Sequence, residues 1–462
     1  MKASLPIISL LAVVAFATAF LAKDGVVSAP LACLTCLVCA SVGMAVAAKA
    51  IAYLGVPAFR SIPIVLCGVW LQAPAFYLLI VPAGNLNNWL IFREELFLEA
   101  ACHCCAGYLF FLFGFILTNL KGRIVNTYRL RGAASKLDET GRYLFAGIAL
   151  LAVSLFAIIY RPSVTLEDVS YNEMYRYENI AGTGRFFGLL FVALLISAYA
   201  IGSRRIVNWM CFIPGFLALL YCCYIALVET GRRQVIFFGM MAIVGCWFSI
   251  RRKMRWSVVV GAGILVSAIF VAVTFYRFEQ DTSIAADQRI LALRDIVVRP
   301  IEDAAFVGGS MARTLAVFDN KTSLMWGRTV VPGLVYLVPL PLAWMEAEEE
   351  LSFTRAIMYE TSPGGFEKGI GVGSSFVTEG YVNFGYAYPL WALAFGALLG
   401  AWTNMCVKLN NRPALLIVVL GVWAALLFHV RSPLEGVFLF IRPLYLLVIV
   451  FIPLLFLESR RN

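Results

Sequence analysis

The chain has 462 residues, 61% hydrophobic and only 14% charged, with a formal net charge of +10. A soluble globular chain is typically about 45–50% apolar and about 25% charged, so the composition excludes an ordinary water-soluble fold and makes lipid the fitting solvent. The positive balance calls for no nucleic acid, because the basic residues collect in short loops beside apolar runs, as membrane topology demands.

A membrane span takes roughly 20 apolar residues to cross about 30 Å of hydrocarbon. Reading for such runs predicts an all-α polytopic membrane protein with about twelve transmembrane helices. In chain order these are Leu5–Ala22, Val26–Leu54, Ile62–Val81, Glu95–Leu120, Tyr143–Tyr160, Phe186–Ile201, Asn208–Leu227, Gln234–Ile250, Trp256–Phe275, Tyr386–Val407, Ala414–His429 and Val437–Phe456. Helices are required because every backbone amide in lipid needs an internal partner. The first run, with Lys2 before it and Ala15, Ala17, Ala19 and Ala22 within it, resembles a secretory signal. A second apolar run follows almost at once, which favours an uncleaved first helix. The chain thus divides into residues 1–275 with helices one to nine, a long loop over 276–385, and residues 386–462 with helices ten to twelve.

Orientation follows from Lys and Arg. The stretch Lys121, Arg123, Arg129, Arg131, Lys136, Arg142 is the clearest basic loop. Arg204-Arg205, Arg251-Arg252-Lys253 with Arg255, Lys408 with Arg412, and Arg460-Arg461 fall on the same side if the helices alternate, and Lys2 and Arg60 agree. Basic loops face the cytoplasm. The expectation is a multi-pass protein of the bacterial inner membrane with both termini cytoplasmic and its site facing the periplasm.

Three outward loops then stand out: Arg161–Arg185, the charged turn Glu229–Arg233, and Arg277–Gly385. A loop as long as the last usually carries function. Within it, Ala285–Leu315 alternates apolar and charged residues at helical spacing and is expected to lie amphipathically on the membrane. Val330–Trp344 is apolar but short and carries Pro332, Pro339 and Pro341, which suits a re-entrant or interfacial piece. Met345–Glu350 is acidic and Ser362–Gly373 rich in glycine. No internal repeat is visible, which argues against a transporter built from two related halves.

Most cysteines, such as Cys33, Cys36, Cys39, Cys222 and Cys223, lie inside predicted spans and read as small apolar residues. In Cys102-His103-Cys104-Cys105, consecutive helical side chains point in different directions, a poor tetrahedral site. No DxD-like acidic motif stands out in the outward loops. Neither a metal nor a cofactor is expected.

Ionisable residues near the outer helix ends are the candidates for chemistry. Arg442 sits inside the last span, where a guanidinium costs about 2.5–3.5 kcal/mol on insertion scales and normally faces a partner or cavity. Arg232 and Arg233 follow Glu229-Thr230-Gly231 on the outer side, against the positive-inside trend. Guanidinium forks suit phosphate oxygens and never deprotonate. His429, Arg431 and Glu435 cluster where Ser432 and Pro433 break a helix. In Glu379-Gly380-Tyr381, Asn383-Phe384-Gly385, a helix would put Glu379 and Asn383 on one face. Burial there would raise the pKa of Glu379 and fit it to act as general base. Arginines beside a carboxylate suit a diphosphate leaving group on a lipid carrier and an incoming hydroxyl.

The Thr230-Gly231-Arg232-Arg233 turn before an apolar helix resembles a Thr-Gly-Ser-Arg-type turn of Wzy-type oligosaccharide repeat-unit polymerases. Arg232 stands where Ser is commoner, and Arg233 is taken as the equivalent arginine. Ser374-Ser375-Phe376 with Glu379-Gly380-Tyr381 and Asn383-Phe384-Gly385 resembles the same family's segment before a late span. Arg431-Ser432 in an outward turn is also similar. The resemblance implies a GT-C-like, metal-independent glycosyltransferase that polymerises undecaprenyl-diphosphate-linked repeat units for O-antigen, capsule or exopolysaccharide. A flippase and a chain-length regulator would be its partners. Together with the reading of the ionisable residues, Glu379, Arg233 and Arg431 are the catalytic candidates and Arg232, Arg233, Arg431 and Arg442 the candidate diphosphate site, with His429, Asn383, Glu229 and Tyr381 as further candidates. An O-antigen-type ligase shares this chemistry and is the alternative; a lipid-linked oligosaccharide flippase is the third reading.

Overall fold

The structure, a computed structural model, describes residues 4–52, 54, 57–81, 93–121, 139–159, 187–202, 209–225, 293–318, 324–331, 334, 357, 359–362, 373–409 and 413–441. Its helices are α1 (Ser4–Lys23), α2 (Ala29–Ala52), α3 (Pro57–Ile80), α4 (Glu94–Lys121), α5 (Glu139–Ile159), α6 (Phe187–Gly202), α7 (Trp209–Tyr224), α8 (Leu293–Phe318), α9 (Phe376–Phe384), α10 (Tyr388–Lys408), α11 (Pro413–Leu427) and α12 (Leu434–Ile441). Short 3-10 turns join α9 to α10 at Gly385–Ala387 and follow α11 at Phe428–Val430. No strand occurs among the described residues.

Five stretches, Ser4–Lys23, Pro30–Ala52, Phe59–Ile80, Glu94–Leu120 and Phe376–Lys408, are long and apolar enough to cross a membrane. Tyr143–Ile158, Leu189–Ala200, Trp209–Tyr224 and Leu415–Val430 are shorter apolar helices. These coincide with spans expected from the sequence, whereas Gln234–Ile250, Trp256–Phe275 and most of Val437–Phe456 lie outside the described residues. Leu10, Val13, Leu31, Val38, Val69, Ile158 and Leu390 project outward. So many exposed large apolar side chains are tolerable only where the surroundings are apolar too.

The chain forms two compact units. One comprises Met1–Thr127, Ala292–Asn404 and Leu426–Phe438; the other comprises Tyr128–Leu291, Met405–Ala425 and Leu439–Asn462. In the second unit α5, α6 and α7 pack on one another. A Cβ on Gly215 would stand 2.6 Å from Ser197 Cβ, so α6 and α7 approach closely there.

In the first unit α1 to α4 pack as neighbours, and α8 lies against α3 and α4. Between α4 and α10 the backbones touch. A Cβ on Gly114 would stand 2.1 Å from the Leu393 carbonyl oxygen, and one on Gly396 2.1 Å from that of Phe111. Gly400, one turn on, faces Thr118 and Phe115 in the same way. Small residues spaced by four replace the hydrophobic effect, which is absent between helices in lipid, with close van der Waals contact. At the far end of these helices the Arg60 guanidinium donates to the side-chain oxygens of Asn119 and Asn404. Asn404 donates in turn to the Thr118 carbonyl at 3.1 Å. Arg60, expected as a loop charge, is buried in α3, because two amide oxygens satisfy it there.

The helix expected along the membrane surface also differs in its setting. α8 is amphipathic in sequence, but Ser310, Met311, Ala312, Thr314 and Leu315 are all fully buried. Gly308 lets it approach α3, since a Cβ there would stand 2.6 Å from Pro74 Cβ. Thr314 Oγ1 donates to the Ser310 carbonyl at 2.9 Å, so this polar side chain enters the bundle satisfied. Helical periodicity identifies an apolar face but not the surface that covers it. Val330–Trp344, Met345–Glu350 and Ser362–Gly373 fall almost wholly outside the described residues.

Candidate functional site

The site grows from α9. Ser375 is its N-cap, with φ −142° and ψ 165°, and its hydroxyl accepts from the Thr378 N–H at 3.2 Å. That bond satisfies one of the amides every helix start leaves open. Gly107 on α4 makes room for the helix, because a Cβ there would stand 2.5 Å from Val377 Cγ2. Residues Phe376 to Asn383 are all buried.

Glu379 and Asn383 share a face, as one helical turn requires. The Glu379 side chain is completely buried. Its Oε1 accepts from Thr329 Oγ1 at 2.8 Å and its Oε2 from the Leu434 N–H at 2.8 Å. Asn383 Nδ2 donates to Thr329 Oγ1 at 2.6 Å and to the Glu379 carbonyl at 2.9 Å, while its Oδ1 accepts from the Gly327 N–H at 2.8 Å. Thr329 therefore accepts from Asn383 and gives its own proton to Glu379, so the network has one direction. The Met325 and Trp326 N–H groups donate to the Val382 and Asn383 carbonyls at 3.1 and 3.2 Å. This docks the 325–329 turn on α9. Trp326 and Gly327 both take left-handed backbone, at φ 46° and 84°. A bulky residue rarely adopts that conformation, which these hydrogen bonds enforce here.

Opposite Oε2 stands His429, also fully buried, with its Nε2 3.8 Å away. His429 Nδ1 lies 2.8 Å from the Ser432 carbonyl oxygen, which can only accept, so Nδ1 carries a proton. Nε2 has no hydrogen-bond partner among the described residues. The ring packs edge-on to Phe395, with centroids 5.0 Å apart. Two residues on, the Arg431 guanidinium lies 4.7 Å from the Trp70 ring centroid, and its Nη2 is 3.4 Å from Asp303 Oδ1. Arg431 keeps 20% of its side-chain surface open and Asp303 21%, so the pair borders accessible space rather than the core.

The described geometry thus gathers Glu379, Asn383, His429 and Arg431 into one cluster in the first unit. Tyr381 lies on the other face of α9, with its ring against His103, Tyr386 and Tyr388. Glu229, Arg232, Arg233 and Arg442 lie outside the described residues, as does the side chain of Glu435. Thr329, Asp303 and Trp70 carried no sequence signal. Asp303 is one of several charges on an amphipathic helix, and Thr329 follows a turn with no periodicity.

Helices of this apolarity, arranged as several spans with ionisable side chains drawn into the bundle, define a multi-pass membrane protein. Residues 5–460 match the family model described as O-antigen polysaccharide polymerase Wzy, nearly the whole chain, and the chain belongs to that family. It is accordingly an O-antigen repeat-unit polymerase in general terms, a glycosyltransferase-type enzyme that works on lipid-linked oligosaccharide in a membrane. No curated protein and no solved structure matches it.

Proposed function

We propose that the chain extends undecaprenyl-diphosphate-linked repeat units at the periplasmic face of the bacterial inner membrane, on a GT-C-like bundle of about twelve spans, without metal or cofactor. A hydroxyl oxygen of the incoming unit attacks the anomeric carbon of the growing chain. The bond from that carbon to the lipid diphosphate breaks, the hydroxyl proton passes to a base, and undecaprenyl diphosphate departs. Arg431 with Arg232, Arg233 and Arg442 would hold the diphosphate and stabilise the charge it gains. Glu379 would take the proton. Its Oε2 is held in place by the Leu434 N–H, and His429 faces the same oxygen. Glu229, Asn383 and Tyr381 would support these groups. A flippase delivers the unit and a chain-length regulator attends it.

The observation that carries this reading is the Arg431 guanidinium, stacked on Trp70 beside Asp303 and two residues from His429, which faces the buried Glu379 carboxylate. It is partly open and pre-oriented, as an anion-binding group must be. Purified protein given the cognate lipid-linked unit and no nucleotide sugar should build a product ladder. Absence of a ladder from a folded sample refutes the proposal. In a deletion strain, single repeat units on the final acceptor mark a lost polymerase, and bare acceptor marks a lost ligase.

A further inference from the structure

On the face of α9 away from Glu379 lies a second polar group. Glu99 and His103 are one turn apart on α4, and Glu99 Oε1 stands 3.5 Å from His103 Nε2. Both atoms are buried and neither has a hydrogen-bond partner among the described residues. Buried polar atoms are nearly always paired, and leaving one unpaired costs about 1–3 kcal/mol. His103 is 1% exposed and is fixed from behind: its Nδ1 lies 3.0 Å from Tyr388 Oη, and Tyr388 Oη also donates to the His103 carbonyl at 3.3 Å. A tyrosine has one proton to give. With that proton on the carbonyl, Nδ1 is the donor to Tyr388 and Nε2 presents a lone pair toward Glu99. With it on Nδ1, Nε2 carries a proton that reaches Glu99 only at 3.5 Å, too far for a good bond. In the second arrangement one hydroxyl, accepting from Nε2 and donating to Oε1, satisfies both atoms; in the first both atoms accept and await donors.

The surroundings say which kind of group. The rings of Tyr381, Tyr386 and Tyr388 pack around His103 with centroids 6.0, 6.0 and 5.4 Å away. Tyr386 is half-buried and Lys23, at the end of α1, is exposed; the Lys23 ammonium lies 4.9 Å from the Tyr386 ring centroid and donates to its hydroxyl. Glu99 keeps 10% of its side-chain surface open. The cluster therefore runs from a buried carboxylate and imidazole to an open aromatic edge. Aromatic walls beside a carboxylate and an imidazole complement a sugar: the rings meet its C–H faces, and the orphaned pair takes one hydroxyl as donor and acceptor at once. α9 carries both clusters, with Glu379 on one face and Tyr381 on the other.

We propose that Glu99, His103 and Tyr386 form a saccharide subsite that takes one sugar of a lipid-linked oligosaccharide; the class of ligand rests on the polymerase reading above. The test uses full-length protein in phospholipid nanodiscs free of glycoside detergents, which would compete. The probe is the repeat-unit oligosaccharide released from the strain's own polysaccharide. Saturation-transfer NMR gives its Kd, and elongation of the lipid-linked unit gives KM and kcat. Glu99→Gln and Tyr386→Ala should each weaken oligosaccharide binding about ten- to hundredfold, and should raise KM by a larger factor than they lower kcat. The subsite is overturned by no transfer to the wild-type protein, or by wild-type Kd in both variants. Loss of binding only in step with a lowered melting temperature also overturns it, because a merely structural pair behaves that way. Elongation by the wild type with unchanged binding in the variants removes the subsite alone. Binding without elongation removes the polymerase reading and leaves the subsite standing.

Discussion

Replacing Asn383 by alanine removes the bonds to Thr329 Oγ1, the Glu379 carbonyl and the Gly327 N–H together. Two of these, to Thr329 Oγ1 and from the Gly327 N–H, cross from α9 to the turn, so at a net of about 1 kcal/mol for each the 325–329 turn should lose about 2 kcal/mol of its hold on α9. Every 1.4 kcal/mol is about tenfold in a population, so the turn should detach about thirty times more often. Arg328 is exposed at the tip of this turn and gives trypsin a reporter in the right place. Where reclosing outpaces cleavage, the cutting rate follows the open population. Folded Asn383→Ala protein should therefore be cut at Arg328 about thirtyfold faster than wild type. Asn404→Ala, at the distant Arg60 clamp, should leave that rate alone. A change of less than about threefold in Asn383→Ala would show that the turn is held by something other than this network.

Arg431→Lys keeps the charge but loses the flat group that stacks on Trp70 and reaches Asp303 Oδ1 through Nη2; product ladders should fall by about a hundredfold or more in a protein that still folds. Glu379→Gln keeps the shape but sets an amide donor either against the Leu434 N–H, which cannot accept, or on Thr329 Oγ1, whose own proton then loses its acceptor, so it should cost about 2 kcal/mol in an SDS unfolding titration and abolish elongation. Gly114→Ala drives a methyl into the Leu393 carbonyl and should cost about 1–3 kcal/mol, visible as lower yield of monodisperse protein on size exclusion. Arg60→Ala leaves two buried amide oxygens without their charged donor and should lower the same unfolding midpoint by the equivalent of about 2–3 kcal/mol.

Much of the scaffold could be read from the chain, because lipid imposes a length on every span and leaves no alternative to helix. That rule located α1 to α7, α10 and α11 within a few residues. The face shared by Glu379 and Asn383 was equally legible, since four residues make one turn. The break at Ser432 and Pro433 correctly marked where α11 gives way to a turn carrying His429 and Arg431. Long-range pairing was not legible. Thr329 lies fifty residues before Glu379 in a segment with no pattern, and nothing local distinguishes Asp303 from its charged neighbours on α8. His103 was visible but read with its cysteine neighbours. It bonds Tyr388, across the bundle, and faces Glu99, one turn back.

The manner in which the 325–329 turn is fastened has a consequence for engineering. Its amides end on carbonyls of α9, and its threonine completes the hydrogen bonding of a carboxylate there. A graft of the long loop from a relative would arrive without its docking partners unless the Phe376–Phe384 helix travelled with it. Chimaeras cut on either side of both pieces should keep the glutamate seated, whereas exchanges that part them should yield proteins with a stranded acid at their centre.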